Sequence, residues 1–261
     1  MKERHMKSTI SGNICYLCSN GAGMELVLCE NSTISYPLHN HISVFTIGII
    51  LEGSILLTTE RGEESYGKNK CFVIHPYKPH SISACGHYTM LSICIDKNRI
   101  KKSSFDTIKS NLIKLLADVP DNIQQCRITQ YQLEKLLQQL EFLSKEALTN
   151  RKCCFWIQLL REQLEQHPEK RYSIDEMAQA AFLSKYHFIR KFREEVGLTP
   201  HQFQIQNRIR KAKHLLCRKR AMTQTALDAG FCDQSHFIRQ FEKYVGLTPS
   251  DYESSVRIIE M

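Results

Sequence analysis

Long apolar segments are missing from this 261-residue sequence. The longest candidate, residues 44–51, has the length of a strand, whereas a membrane-spanning helix needs about 20 apolar residues. The first residues are charged and no apolar segment follows them, so they do not resemble a signal peptide. We therefore predict a cytoplasmic protein without a membrane partner.

Familiar catalytic motifs and a disulfide framework are also missing. The sequence has no GxSxG, P-loop or GxGxxG motif. Its 11 cysteines are an odd number and are scattered along the chain, which favours a reducing compartment over a set of disulfides. The Cys15-x-x-Cys18 pair, with Cys29 not far behind, leaves two interpretations open: a metal or redox site, or ordinary reduced thiols.

Charge is distributed unevenly along the chain. Residues 1–150 contain 16 Lys and Arg against 14 Asp and Glu, a net charge of +2. Residues 151–220 contain 16 against 7, a net charge of +9. A basic surface confined to one region is typical of a protein that binds a polyanion.

The patterning divides the chain into three regions and predicts an α+β protein. Residues 1–100 contain short β-rich runs separated by turn signals, at 26–29, 43–51, 55–59, 71–74 and 90–95, which favours a β-barrel or sandwich. Residues 101–150 form a predicted helical linker, and residues 151–261 a predicted all-α domain.

The linker carries leucines at 3-4-3 spacing, which is typical of a short coiled-coil seam. We predict that a homodimer forms through this seam; the alternative is that the leucines pack on the protein's own barrel. The residues concerned are Leu133, Leu136, Leu140 and Leu143.

One helix-sized phrase occurs twice. HFIRKFREEVGLTP begins at His187 and HFIRQFEKYVGLTP begins at His236, with the same residue at ten of fourteen positions. In each copy an N-cap residue precedes the histidine by three positions, two phenylalanines four apart define one apolar face, and glycine ends the helix. A Thr-Pro pair then starts another helix.

The residues before each copy complete a helix-turn-helix pattern. Ser173 and Glu176 form a predicted capping box that opens a short helix, and Thr223 is the predicted start of the equivalent helix in the second copy. A basic helical segment at 203–216 joins the two units. The C-terminal domain is therefore predicted to contain two helix-turn-helix motifs.

Helical-wheel angles identify the residues that point away from the apolar faces. With Phe188 at 0°, Arg190 lies near 200°, and Arg239 has the same outward position in the second copy. Arginine suits guanine and glutamine suits adenine in the major groove. The alternative is that both arginines are ordinary solvated surface residues. The predicted base-reading residues are Tyr186, Ile189, Arg190, Gln234, Ser235, Ile238 and Arg239, and the predicted phosphate contacts are Lys185, Lys191, Arg208 and Lys213.

Residues 174–252 resemble the DNA-binding domain of the AraC/XylS family of bacterial transcription regulators. The resemblance rests on Ser-Lys-Tyr-His-Phe at 184–188, Arg208-x-x-x-Ala212-x-x-Leu-Leu, and Ala226-x-x-x-Gly-Phe. It also includes the run from Asp233 to Phe241, followed by Gly-x-Thr-Pro. It implies two helix-turn-helix units that enter adjacent major grooves of double-stranded DNA, and RNA polymerase as a partner if the protein is an activator.

The N-terminal region resembles a cupin barrel, the usual sensor domain of that family. His39-Asn40-His41, Leu-Glu-Gly at 51–53 and the run from Phe72 to His80 carry this resemblance. It implies a small-molecule effector bound inside the barrel, with no cofactor required. His39, His41 and His80 are the candidate effector-binding residues, because histidines two apart on a strand face the same side.

A divalent metal is a second interpretation of the same histidines. Three imidazoles with open positions suit zinc, nickel, iron or copper. Metal-binding cupins have a glutamate after the HxH pair, whereas Phe45 and Thr46 occupy that position here. The other interpretation is that these histidines line a pocket or pack under the barrel mouth.

The sequence therefore favours a DNA-binding regulator that responds to an effector, and not an enzyme. A cupin metalloenzyme fused to a DNA-targeting domain is the alternative, and the missing glutamate argues against it. A nucleoid-binding protein is disfavoured, because non-specific binding needs no paired reading helices.

Overall fold

The computed structural model of the protein describes residues 13–19, 24–96 and 155–259. The predicted linker and its four leucines lie outside these residues. Ten strands are described: β1 Asn13–Ser19, β2 Met24–Ser32, β3 Tyr36–His39, β4 Val44–Glu52, β5 Ser54–Thr59, β6 Gly62–Gly67, β7 Cys71–Ile74, β8 His80–Ala84, β9 Tyr88–Asp96 and β10 Val256–Ile259.

The described strands form two sheets, which fits the sandwich alternative and not a closed barrel. One sheet has the order β10-β1-β2-β9-β4-β7 and the other has the order β3-β8-β5-β6. Apolar side chains from both sheets share one core; Ile50 and Met90 come from the larger sheet, Ile55 and Ile82 from the smaller. The α+β class is confirmed, and among the described strands neither sheet closes on itself.

The sequence did not predict strand β10. It follows the last helix directly and pairs in parallel with β1, with Tyr16 opposite Val256. A four-residue strand at the end of a helical domain has too short a pattern to be distinguished from a helix tail. Its partner lies at the opposite end of the sequence, so only the tertiary fold defines it.

The helices follow the repeated phrase closely. Their bounds are α1 Phe155–Gln166, α2 Ile174–Ala180, α3 Lys185–Val196, α4 Pro200–Cys217, α5 Met222–Asp228, α6 Gln234–Val245 and α7 Pro249–Ser255. Among the residues that the structure describes, no helix is both long and apolar enough to cross a membrane.

The predicted caps explain where the recognition helices α3 and α6 begin and end. Ser184 accepts a hydrogen bond from the His187 amide, and Asp233 accepts one from the His236 amide. Gly197 and Gly246 both have φ of +81°, the left-handed conformation that ends a helix. The prediction that Thr223 caps α5 was wrong: the N-cap residue is Ala221, two positions earlier, and it makes no side-chain cap hydrogen bond.

Two apolar cores hold the helical region. The first contains Phe188 and Phe192 of α3 together with residues of α1 and α2. The second contains Phe237 and Phe241 of α6, and it is continuous with the core between the two sheets. The C-terminal domain therefore packs directly against the N-terminal sheets through its second helix-turn-helix unit.

Candidate DNA-binding surface and interdomain cavity

The N-terminal ends of both recognition helices carry exposed side chains. Tyr186 is 85% exposed, and Arg190 is exposed beside Glu194 of its own helix. In α6, Gln234, Ser235 and Arg239 are also exposed, and Arg239 borders a groove beside the N-terminal strands. The half-buried Ile189 and Ile238 pack at the margin of each core. The exposure agrees with the predicted outward face, and contact with bases stays a prediction.

The four predicted phosphate contacts divide into two pairs. Lys185 is exposed and lies 3.0 Å from Asp175, and Lys191 pairs with Glu195 on its own helix. Both ion pairs lie at the protein surface. Arg208, in contrast, donates from Nε to the Pro168 carbonyl at 2.8 Å and from a terminal nitrogen to the Lys170 carbonyl, so its guanidinium holds a loop.

Lys213, the fourth predicted phosphate contact, faces the N-terminal domain in the structure. Its ammonium donates to both carboxylate oxygens of Glu25, at 2.7 and 2.9 Å, and lies over the rings of Tyr16 and Tyr252. Glu25 belongs to β2, so this ion pair joins α4 to the larger sheet. Sequence reasoning assigned Lys213 to DNA because a basic helix has no visible partner until the domains are assembled.

The recognition helices contact the N-terminal domain at their C-terminal ends. A methyl group added at Gly197 would lie 1.8 Å from Cγ of Pro79, and one added at Gly246 would lie 3.1 Å from the Tyr36 hydroxyl oxygen. The second helix also borders a groove of about 650 Å³, lined by strands β3 and β8 and by Arg239 and Lys243. The glycines that end the two recognition helices therefore also contact the N-terminal domain.

A cavity of about 160 Å³ lies between the two sheets and helix α4. The N-terminal domain contributes all three predicted histidines, and α4 contributes Gln206, Arg210 and Lys213. Its size is close to that of the roughly 150 Å³ cavities that hold benzene. The remaining lining residues are Tyr16, Glu25, Val27, Cys29, Tyr36, Asn40, Thr46, Phe72, Ile74, Ile82, Met90, Ser92, Cys94, Ile209, Tyr244 and Val245.

The three predicted histidines come together in this cavity. The ring centroids of His39 and His80 are 4.1 Å apart, and His41 lies 5.1 and 5.2 Å from them. Burial lowers the pKa of His39 to about 4 and that of His80 to about 3, and it lowers the pKa of His41 well below its usual value. All three imidazoles are therefore neutral at pH 7.

Two thiols in the cavity are held in their unreactive form. Burial raises the pKa of Cys29 and of Cys94 to about 11 in each case. Since the thiolate is the nucleophile and the metal ligand, neither is prepared for redox or metal chemistry at pH 7. Cys15 and Cys18 lie on β1, and their predicted metal or redox role stays a prediction.

Sequence reasoning missed the polar contacts that connect the histidines to α4. Asn40 separates His39 from His41, and its backbone N–H donates to Oε1 of Gln206 at 3.1 Å. The backbone carbonyl of Asn40 accepts a hydrogen bond from the Arg210 guanidinium at 3.3 Å. Burial lowers the pKa of Arg210 to about 10, which leaves the guanidinium charged. The only feature of the sequence that indicated these contacts was the polar residue Asn40 between two histidines.

The Asn40 side chain itself is unusual. The residue is 2% exposed, and neither polar atom of its side-chain amide has a hydrogen-bond partner among the described residues. The Nε of Arg210 is also buried without such a partner within that part of the chain. Buried polar groups are normally hydrogen-bonded, so these atoms are exceptions within the cavity lining.

The helical region matches a known family. Residues 177–255 match the model described as a helix-turn-helix domain. These residues form an AraC-type helix-turn-helix domain. The sequence is 35% identical over 69 residues to the probable transcriptional regulator LumQ of Photobacterium leiognathi, which covers 26% of this chain and 28% of LumQ. The chain thus matches about a quarter of the length of that curated relative.

The chain as a whole shares its fold with ToxT of Vibrio cholerae. The structure from strain O395 has a TM-score of 0.54 at 13% identity, covering 89% of this chain and 98% of ToxT. An apo form of a ToxT variant from strain SCE256 has a TM-score of 0.58 at 12% identity, covering 92% and 100%. ToxT with an unsaturated fatty acid bound has a TM-score of 0.53 at 11% identity, covering 93% and 96%. The likeness to ToxT is thus one of fold over most of both chains.

Proposed function

We propose that this protein is a transcription regulator that reads a specific DNA sequence and responds to a small effector held in the interdomain cavity. The observation that carries the proposal is the pair of recognition helices. Both begin at a side-chain cap, both bury two phenylalanines, and both place an arginine on the same outward face. The domain would thus present two surfaces for contact with bases. Two major grooves on the same side of a duplex are one helical turn apart, about 34 Å, so each helix would enter one groove.

The location of the cavity supports an effector role. Because its walls come from both domains, a ligand there contacts the N-terminal sheets and α4 at once. Such a ligand changes DNA affinity only if it binds one arrangement of the domains better than another. A coupling of about 1–3 kcal/mol corresponds to a roughly 5- to 150-fold change in operator affinity.

The size of the cavity limits the class of effector. ToxT binds an unsaturated fatty acid, and pockets for drug-sized ligands are about 300–1,000 Å³. The cavity of this protein, at about 160 Å³, is smaller. We therefore propose a compact effector that contacts the histidines, and a long acyl chain only if the sheets separate further.

Two finer parts of the proposal concern partners. A homodimer through Leu133, Leu136, Leu140 and Leu143 would place two AraC-type domains on one operator and so increase affinity by avidity. RNA polymerase is the expected protein partner if the regulator is an activator. Both remain predictions from the sequence.

The decisive experiment is selection of bound duplexes from a random DNA pool with the full-length protein, followed by footprinting of variants. Arg190→Ala and Arg239→Ala should each weaken binding to the selected site by about 1–3 kcal/mol and relax the preference in one groove only. Arg61→Ala removes an exposed arginine from the β5–β6 turn and serves as the matched control. If both recognition-helix variants keep the full preference, these arginines do not read bases.

A further inference from the structure

The loop between β7 and β8 contains a turn with a tyrosine where a smaller residue is usual. The backbone N–H of Lys78 donates to the carbonyl of His75 at 3.1 Å, so these residues enclose a four-residue turn with Pro76 in its second position. Tyr77, in the third position, has φ of +63°. Glycine or asparagine normally occupies this position when φ is positive, and a bulky side chain there is a genuine outlier. Contacts of Tyr77 beyond the turn therefore hold it in this conformation.

The side chain of Tyr77 contacts the first helix of the C-terminal domain. Its hydroxyl donates to Oε2 of Glu165 at 3.3 Å, and the centre of its ring lies 4.4 Å from the guanidinium carbon of Arg161. Arg161 and Glu165 form an ion pair one turn apart on α1, and each side chain is only 17% exposed. Burial raises the pKa of Tyr77 to about 12, so the phenol keeps its proton and remains a donor at pH 7. One tyrosine of the N-terminal domain thus contacts both members of a largely buried ion pair on α1.

The same loop joins the histidine cavity to the end of α3. The backbone N–H of Tyr77 donates to the carbonyl of His41, a residue of the cavity wall, at 2.6 Å. Pro79 lies against Gly197, the residue that ends α3. Residues 75–80 are therefore connected on one side to the cavity wall and on the other side to α1 and α3 of the first helix-turn-helix unit.

The N-terminal domain holds the second helix-turn-helix unit by separate contacts. The hydroxyl of Tyr16 on β1 donates to the carbonyl of Val245, the last residue of α6, at 2.9 Å. Phe237 and Phe241 of α6 share a core with both sheets. Helix α4 connects the two units along the chain, so a domain that contacts both of them also fixes the distance between α3 and α6.

We propose that Tyr77 is a positioning residue: its contact with Arg161 and Glu165 fixes the first unit relative to the second, and so fixes the spacing of the DNA half-sites that the protein accepts. The spacing part rests on the proposed function, whereas the contact does not. Couplings between separate parts of a protein typically change an equilibrium about 5- to 150-fold. Asparagine would suit the turn better than tyrosine and would lose the contact with α1, so one substitution separates the two roles of Tyr77.

Hydrogen exchange of the full-length protein without DNA tests the contact. Tyr77→Asn should accelerate the exchange of the α1 amides and leave those of α5, in the second unit, unchanged. Tyr77→Phe keeps the ring beside Arg161 but loses the hydroxyl, so it should give an intermediate rate. Asn69 is an exposed turn residue that also has positive φ, at +64°. Asn69→Gly is therefore the matched control, and its α1 amides should exchange as in the parent.

The spacing of DNA half-sites tests the consequence of the contact. Once a duplex has been selected with the parent, its affinity is compared with that of a duplex carrying one extra base pair between the half-sites. Tyr77→Asn should reduce the preference for the selected spacing at least about fivefold, and Asn69→Gly should keep it. A residue that only stabilises the fold would weaken both duplexes equally, and their affinity ratio would not change.

The outcomes separate this proposal from the proposed function. Unchanged α1 exchange in Tyr77→Asn would overturn the contact, whatever the DNA result. Faster α1 exchange with an unchanged spacing preference would contradict the positioning role. If the parent selects no duplex while the α1 exchange responds, the proposed function and the spacing role both fail and the contact stands. Should Tyr77→Asn fail to fold, Tyr77→Phe and Glu165→Gln weaken the same contact and give the same comparison.

Discussion

The two copies of the repeated phrase have the same caps and the same helix ends but different surroundings. The first copy packs its phenylalanines against α1, α2 and Phe203 of α4, in a core that Leu38 and Ile42 of the N-terminal domain border. The second packs Phe237 and Phe241 into a core that continues between the two sheets. A groove between α6 and strands β3 and β8 adjoins this contact. One sequence pattern thus gives one helix-turn-helix unit whose core only borders the N-terminal domain and another that shares its core with that domain.

This difference matters for the proposed regulation. A ligand between the sheets and α4 lies closer to the second unit, because Tyr244 and Val245 of α6 also line the cavity. The first unit touches the N-terminal domain at Gly197 and Pro79. We therefore expect an effector to move α6 relative to α3, and so to change the distance between the two proposed recognition helices.

The largest expected effect comes from removing one core phenylalanine in each copy. Phe188→Ala and Phe237→Ala should each reduce the free energy of unfolding by about 3–5 kcal/mol, because each leaves a cavity in a packed core. Trp156, the single tryptophan, contacts Phe182 beside the first unit, so its fluorescence reports on that unit. In a denaturant titration, Phe188→Ala should move the fluorescence transition below the far-UV circular dichroism transition.

Phe237→Ala is the matched counterpart. It should leave the fluorescence transition near the parental midpoint while the circular dichroism transition moves to lower denaturant, since the sheets lose part of their core. Coincident transitions in both variants would mean that the two units and the sheets unfold as one cooperative structure.

A smaller effect is expected from the two glycine stops. Both have φ of +81°, so alanine at either position should cost about 1–2 kcal/mol for the left-handed conformation. Gly197→Ala should cost more than Gly246→Ala, because its methyl group would lie 1.8 Å from Pro79, against 3.1 Å from Tyr36. Thermal unfolding of both variants measures the difference.

A double-mutant cycle with Pro79→Ala identifies the source of that difference. The smaller residue should recover the extra loss in Gly197→Ala and change Gly246→Ala little. An equal effect of Pro79→Ala on both variants would show that the extra cost arises within the helix and not at the domain contact.

The smallest effect concerns the ion pair between α4 and β2. Lys213→Met should cost about 1 kcal/mol or less, since both partners are partly exposed. It should leave the salt dependence of DNA binding unchanged, because Lys213 faces Glu25 and not the outward surface. Lys191→Met is the matched variant on the first recognition helix and should reduce the salt slope by about one. A reduced slope for Lys213→Met would restore it as a phosphate contact.

Local residues made much of the C-terminal domain predictable. Ser184 and Asp233 cap their helices, Gly197 and Gly246 end them, and Arg190 is exposed, all as the repeated phrase predicted. These features depend on positions within a few residues of one another. The start of α5 was misplaced because no side chain caps it.

The cavity was predictable only in part. Two histidines two positions apart on an extended segment face one side, so His39 and His41 were expected to lie together. Their meeting with His80 depends on the register of β3 and β8, which cross-strand packing decides. The contact of Asn40 with Gln206 joins residues 166 positions apart, and no local pattern encodes such a pair.

The sequence by itself determined the two helix-turn-helix units, their caps, their outward arginines and the strand-rich nature of the N-terminal domain. Only the tertiary structure decided that the sheets remain open, that β10 joins β1, that Lys213 binds Glu25, and that the histidine cluster borders α4. The physical reason is range. Caps and helix faces follow from neighbours along the chain, whereas sheet closure, ion pairing and cavity walls depend on apolar surfaces that meet only when the whole chain folds.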